Sequence, residues 1–150
     1  MTVYYQFGSL RGLLEALCDS LAGAGGMDRL AEAFQIPDPK EAIDRFISVF
    51  AGFWDSDRTV LRGLGAFAAL DPELAAVLEE RYGWRRKGIR VLLERHAKQY
   101  GRPKPKEMDA AADLLYMLTS FSAYDTLAGT RRSSTQVAGM IQHVARQVLS

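Results

Sequence analysis

Two histidines and one cysteine are the side chains of this 150-residue chain best suited to metal binding or nucleophilic catalysis. A di-iron site in a helical bundle needs Glu-x-x-His spacing, but neither His96 nor His143 follows an acidic residue by three positions. Cys18 has no evident histidine partner and lies on the apolar stripe of a predicted helix. Phosphate-binding glycine loops and Gly-x-Ser-x-Gly motifs are also missing. We therefore predict no metal site, no cofactor and no enzymatic activity.

Large aromatic residues recur at helical spacing on four predicted helices and are the stronger candidates for a functional site. Such residues form either ordinary core or the wall of an apolar small-molecule cavity. His96 would be a polar anchor in such a cavity, or else a buried histidine bonded to a carbonyl group or water. The candidate pocket residues are Phe50, Phe53, Trp54, Phe67, Trp84, His96, Tyr116 and Phe121.

Length, charge and composition predict one domain in a reducing compartment. The chain is 48% hydrophobic, which is enough for one substantial core, and its net charge of +1 predicts only local contact with DNA. The basic cluster Arg85-Arg86-Lys87 is interpreted as a solvated helix face. A single cysteine favours the cytoplasm. No apolar run reaches the roughly 20 residues that span a membrane, so no membrane partner is expected.

Hydrophobic periodicity predicts an all-α fold of about seven helices without strands. Helix starts are indicated by Ser9, Asp38 before Pro39, Asp71 before Pro72, and Ser133 with Gln136 three residues later. From Asp71-Pro72 a long helical pattern, with apolar residues from Leu74 to His96, runs to the break at residues 101–103, and Gly83 and Gly88 within it allow a bend.

The last two predicted helices have more apolar surface than one small domain covers. A single helix from Lys106 to Leu127 carries apolar residues on two faces, and the final helix carries a narrow seam like that of a coiled coil. We therefore expect a homodimer. The predicted interface residues are Leu118, Ser122, Val137, Met140, Ile141, Val144 and Val148.

The opening stretch TVYYQFGS, followed by paired leucines, resembles the end of the DNA-binding domain in TetR-family transcriptional regulators. In that family the recognition helix ends in Thr, an aliphatic residue, Tyr, a variable residue, His or Tyr, and Phe, before a short turn and a helix that begins with paired leucines. Gln6 stands at the position of the family's usual histidine, and Leu10, followed by Arg11, at that of its usual lysine. The residues that fit the pattern are Thr2, Val3, Tyr4, Phe7, Gly8, Ser9, Leu13 and Leu14.

The resemblance implies a TetR-like effector-binding and dimerisation bundle over residues 9–150, with residues 1–8 as the end of the recognition helix. It implies DNA contacts by Thr2, Tyr4, Tyr5 and Arg11. The family places roughly forty further residues of the helix-turn-helix domain before this motif, and these brace the recognition helix on DNA. Operator DNA is therefore an expected partner only together with such residues, which are either encoded upstream of Met1 or lost.

The function implied by the resemblance is a TetR-type regulator, a repressor, whose DNA binding is controlled by a small apolar or aromatic effector in the helical core. The alternative is a truncated dimeric module that binds a ligand or a partner and has no DNA-binding activity.

Overall fold

The structure, a computed structural model, describes residues 9–150, which form eight α-helices, two 3₁₀ turns and no strand. The all-α prediction is confirmed for this part of the chain. The 3₁₀ turns are Met27–Arg29 and Pro105–Glu107. In chain order the helices are α1 (Leu10–Ala24), α2 (Leu30–Gln35), α3 (Pro39–Ser56), α4 (Arg58–Ala68), α5 (Pro72–Tyr100), α6 (Met108–Leu118), α7 (Phe121–Ala128) and α8 (Ser134–Val148).

The residues predicted to cap helices do so. The Oγ of Ser9 accepts the Gly12 backbone N–H at 2.9 Å, and Asp71 accepts two N–H groups at the start of α5. Ser133 and Gln136 each accept the other's backbone N–H, at 3.2 and 2.9 Å. Because the first N–H groups of a helix have no partner within the helix, these side chains determine where α1, α5 and α8 begin.

The single helix predicted over residues 106–127 is instead two helices, because the backbone turns at Thr119 and Ser120. The Ser120 hydroxyl caps α7, and the Trp54 indole N–H donates to the Thr119 carbonyl oxygen at 2.8 Å. A buried hydrogen bond from α3 therefore stabilises the break. The apolar period continues through both segments, so periodicity alone does not show the interruption.

Helix α5 is continuous from Pro72 to Tyr100, through both Gly83 and Gly88. Gly88 has a packing role. A Cβ atom at this position would lie 3.0 Å from the Phe34 ring and 3.3 Å from the Phe46 ring. The missing side chain therefore lets two aromatic rings pack directly against α5.

The core has two parts, which we call the main core and the small cluster. The main core surrounds α3, against which α2, α5, α7 and α8 pack, and α6 joins this core by packing against α5 and α8. The small cluster joins α1 to the first turns of α5 through Leu14, Cys18, Leu74, Val77 and Leu78. Side chains of both parts line the cavity described below.

Three charged side chains connect α4 to α7. Arg58 Nη2 lies 2.6 Å and Arg62 Nη2 2.8 Å from Asp125 Oδ1. Arg58 also donates to the carbonyl oxygen of Gly129 at 2.8 Å. The hydrogen bonds from Arg62 and then Arg58 hold the pKa of Asp125 below its usual range, although burial acts in the opposite direction.

Candidate functional site

A cavity of about 320 Å³ lies between α1, α3, α4 and α5. Small-molecule sites typically occupy about 300–1,000 Å³, so this cavity suits a compact ligand. Its wall is mostly apolar, with Leu21 and Ala22 from α1 and Leu61 and Leu64 from α4. The charged lining residues are Asp19, Arg81 and Arg85.

Five of the eight predicted pocket residues line this cavity. Trp54 is central among them, with ring centroids 4.8 Å from Phe53, 6.0 Å from Phe50 and 5.7 Å from Phe121. Phe50, Phe53 and Trp54 follow one another at helical spacing on α3, so the helix itself presents them as one wall. Trp84 is the fifth lining residue, on α5.

Phe67 and Tyr116 are predicted pocket residues that do not line the cavity. Phe67 is 52% exposed on α4. The ring of Tyr116, on α6, lies under two guanidinium groups, with centroid distances of 4.2 Å to Arg85 and 3.9 Å to Arg86. Both residues keep the apolar period of their helices, but neighbouring helices do not enclose them with the others.

His96, the predicted polar anchor, lies in a different place. It is buried near the end of α5, where its Nδ1 donates to the Arg102 carbonyl oxygen at 2.5 Å. It borders a separate cavity of about 210 Å³ beside α8. Of the two interpretations given above, the structure therefore favours a buried histidine with an internal hydrogen bond.

Arg85 is the cavity residue that the sequence interpretation placed wrongly. Interpreted as part of a solvated basic face, it is only 5% exposed, whereas its neighbours Arg86 and Lys87 are exposed. The sequence does hold a signal for this position, because Arg85 follows Tyr82 by three residues and precedes Ile89 by four. It therefore lies on the inner stripe of α5.

The guanidinium of Arg85 is surrounded by aromatic rings. Its Cζ lies 4.2 Å from the Tyr116 centroid, 5.4 Å from Tyr82, and 5.8 Å from both Phe50 and Trp54. Such distances allow cation–π attraction. Burial lowers the pKa of Arg85, while the phenols of Tyr116 and Tyr82 act in the opposite direction.

Arg85 has few hydrogen bonds for a buried arginine. Its Nη2 donates to the Tyr116 carbonyl oxygen at 3.4 Å. Among the buried side-chain nitrogen and oxygen atoms of residues 9–150, Nε of Arg85 is the one without a hydrogen-bond partner. No carboxylate in that range forms an ion pair with it, whereas the adjacent Arg86 pairs with Asp113 at 2.8 Å.

The second arginine of the cavity is paired. Arg81 Nη2 lies 2.8 Å from Asp19 Oδ1 and donates to the Glu15 carbonyl oxygen at 3.2 Å. Burial raises the pKa of Cys18 and of Tyr82, so near neutral pH the thiol and the phenol are both uncharged. The charges of Arg81 and Asp19 cancel, and Arg85 contributes one positive charge that has no counter-ion among the described residues.

The structure gives no metal cluster or membrane span in the part of the chain that it describes. Within residues 9–150, no three histidine, cysteine, aspartate or glutamate side chains converge as metal ligands. No helix in the same range is both long enough and apolar enough to cross a bilayer.

Three of the four implied DNA contacts, Thr2, Tyr4 and Tyr5, lie outside the described residues. The fourth, Arg11, is half-exposed at the start of α1. Its Nε lies 2.9 Å from Glu15 Oε1, and its Nη2 also pairs with a carboxylate oxygen of Glu80.

The predicted interface residues divide into exposed and buried groups. Val137 and Ile141 belong to the main core, where α3 packs against α8, so neither presents a surface to a second copy. Val144 is 43% exposed and Ser122 is also exposed. Leu118, Met140 and Val148 are half-buried.

Two exposed apolar side chains on α6 were not among the predicted interface residues. These are Leu114 and Met117, both of which are substantially exposed. The sequence signal was available, because both lie on one of the two apolar faces recognised for this segment. Periodicity does not indicate which of two apolar faces is covered within the chain.

Fold and site together define residues 9–150 as an all-α bundle with an apolar cavity, which is lined by a buried arginine without an ion-pair partner in that range. No protein-family model matches the chain, and neither a curated protein nor a solved structure matches it with statistical significance.

Proposed function

We propose that this chain is the effector-binding and dimerising part of a TetR-type transcriptional regulator, a repressor whose DNA binding is controlled by a small molecule in the cavity. One observation carries the proposal. Helix α1, which directly follows the TVYYQFGS segment, forms a wall of the cavity through Cys18, Leu21 and Ala22. A ligand there contacts the same helix that joins the cavity to the TetR-like motif.

The weak attachment of α1 suits such coupling. Only Leu14 and Cys18 of this helix are buried, whereas α3 has nine buried residues. Few buried side chains oppose a displacement of α1 relative to α3. A ligand shifts such an equilibrium by the difference in its affinity for the two positions of the helix.

The homodimer is part of the same proposal. Its interface would use the exposed apolar side chains on α6 and α8, including Leu114, Met117 and Val144. Burial of such side chains against a second copy removes apolar surface from water, which favours association. In a dimeric regulator, a ligand that moves α1 in each copy changes the spacing of the two DNA-reading heads.

The alternative, a ligand-binding or partner-binding module without DNA-binding activity, is favoured by the contacts of Arg11. This implied DNA contact is already paired with Glu15 and Glu80. A side chain held by two carboxylates offers less charge to a DNA backbone.

The reading frame upstream of Met1, followed by a DNA-binding assay, tests the proposal. We expect roughly forty in-frame codons for a helix-turn-helix segment. The complete product should select a DNA site from genomic fragments, and a compound that raises its melting temperature should weaken that binding at least about tenfold. A stop codon immediately upstream, or a complete product that selects no DNA, would favour the module instead.

A further inference from the structure

We propose that the cavity binds a monoanionic organic acid, a carboxylate on a compact apolar or aromatic body, and that Arg85 is the residue that binds the carboxylate. This inference rests on the proposed function for the statement that the cavity is a ligand site. It adds the chemical class of the ligand and the residue that selects it.

The charges of the cavity favour one negative charge on the ligand. Arg81 and Asp19 form an ion pair, whereas Arg85 has no carboxylate partner within residues 9–150. A buried cation without a counter-ion is costly, because burial removes most of its hydration. A monoanion would neutralise the cavity, whereas a neutral ligand would leave the charge of Arg85 uncompensated.

The hydrogen-bond donors of Arg85 favour a carboxylate. A guanidinium has five N–H donors in a planar fork that matches the two oxygens of a carboxylate. Here the Tyr116 carbonyl oxygen accepts from Nη2 at 3.4 Å and Nε has no acceptor. Donors in a low-dielectric site bind an anion more strongly than donors in water.

The four aromatic rings around Arg85 hold the guanidinium in place without neutralising it. A ring face attracts a cation but accepts no strong hydrogen bond, so the rings leave the N–H groups available, and within residues 9–150 Nη2 alone donates, to the Tyr116 carbonyl oxygen. A carboxylate in the same position would pair with the cation permanently. The rings therefore fit a guanidinium that is positioned for an external anion.

The apolar residues that line the rest of the cavity indicate which kind of molecule could carry the carboxylate. Leu61, Leu64 and Leu78 provide aliphatic surface, and Phe53 with Trp54 provides flat aromatic surface. A body without further charge suits these side chains, because each polar group buried there would need a hydrogen-bond partner. The volume of about 320 Å³ limits the body to roughly one or two rings or a short aliphatic chain.

Matched acid and amide probes separate the carboxylate from the body that carries it. Calorimetric titration at pH 7 would use naphthalene-1-acetate, 3-phenylpropionate and octanoate, each against its primary amide. Each pair has the same body and differs in one charge. For wild-type protein, we expect at least one acid to bind about tenfold or more tightly than its amide.

Variants of α5 assign this preference to Arg85. Arg85→Gln should weaken binding of the preferred acid about tenfold and that of its amide less than about threefold. Arg85→Lys should give an intermediate acid affinity, because it retains the charge but not the fork. Arg90→Gln removes an arginine from the exposed face of the same helix and should leave both affinities within about twofold.

Arg85→Met provides a second test in case Arg85→Gln does not fold. Methionine places an apolar chain of similar length among the rings. Circular dichroism should show the wild-type helix content for each variant that is titrated. The acid preference should be absent from Arg85→Met as well.

The outcomes distinguish this inference from the proposed function. Equal binding of every acid and its amide to wild-type protein would overturn the acid preference and leave a small-molecule site in place. An acid preference unchanged in Arg85→Gln and Arg85→Met would overturn the role of Arg85. Failure of all six compounds to bind would contradict both the inference and the ligand-binding part of the proposed function.

Discussion

The main core and the cavity differ in whether their buried polar groups have hydrogen-bond or ion-pair partners within residues 9–150. In the main core, the Tyr124 hydroxyl donates to Asp55 at 2.7 Å, and His96 donates to a carbonyl oxygen. Each of these groups has a partner within the chain. Beside the cavity, Arg85 is also buried, but within residues 9–150 it has no carboxylate partner and its Nε has no hydrogen-bond acceptor.

This difference shows that the main core satisfies its own buried polar groups, whereas the cavity leaves the charge of Arg85 without a partner in the described part of the chain. A satisfied polar group in a packed core requires nothing from outside the chain. A buried, unpaired charge in a cleft lowers stability and is a recognised indicator of a functional site.

Ile141→Asp tests whether the main core is closed to a second copy, and it should have the largest effect. Because Ile141 is buried among apolar residues, a carboxylate there should lower the free energy of unfolding by about 4 kcal/mol or more. Urea denaturation followed by circular dichroism measures this loss.

Val144→Asp, three residues further along α8, is the control for Ile141→Asp. Val144 is exposed, so the free energy of unfolding should change by less than about 0.5 kcal/mol. If the proposed dimer forms through this face, light scattering should show a monomer. A folded, stable Ile141→Asp protein would contradict the assignment of Ile141 to the main core.

Asp125→Asn tests the connection between the cavity and the rest of the fold, because α4 lines the cavity and Arg58 and Arg62 tie it to α7. Loss of the charged acceptor should lower the free energy of unfolding by about 2 kcal/mol at pH 7. Asp113→Asn, which removes an exposed partner of Arg86, should cost less than about 0.5 kcal/mol.

The free energy of unfolding lost in Asp125→Asn should depend on pH, and the lowered pKa of Asp125 determines the direction of that dependence. The folded pKa of Asp125 lies below its unfolded value near 4, so its contribution is present above that value and disappears as pH falls through the folded pKa. The difference between wild type and Asp125→Asn should therefore shrink on acidification from pH 7 to about pH 3. A constant difference would show that charge is not the cause.

Arg85→Met should have a smaller effect of the opposite sign. Replacement of a buried, unpaired charge by an apolar side chain should raise the free energy of unfolding by about 1 kcal/mol. Thermal and urea denaturation without ligand measure the gain. A loss of several kcal/mol would mean that the ring contacts of Arg85 already stabilise the free protein.

The smallest effect is expected for a change of pH. The affinity of the protein for the preferred acid probe should change by less than about twofold between pH 6 and pH 8. Burial raises the pKa of Cys18 and of Tyr82 away from this range, and His96 lies at the other cavity. The probe is ionised throughout. Calorimetric titration in buffers of equal ionic strength checks this, and a steep decline across the range would contradict the assigned lining.

Much of the secondary structure could be predicted from the sequence. Ser9, Asp71 and Ser133 begin helices because each side chain satisfies nearby backbone donors, an interaction that needs no other part of the chain. The aromatic wall of α3 was predictable for a similar reason, since residues three and four apart lie on one helix face.

Tertiary structure alone decided which of these faces are covered. Val137 and Val144 share one predicted seam, but α3 packs over the former and leaves the latter exposed. Thr119 ends α6 where the Trp54 indole of a distant helix binds its carbonyl oxygen. Arg85 lies in a basic triplet in the sequence, and only the packing of α3 and α6 around α5 encloses its guanidinium in aromatic rings. Periodicity specifies a stripe on a helix, whereas the solvation of each residue on it depends on groups distant in sequence.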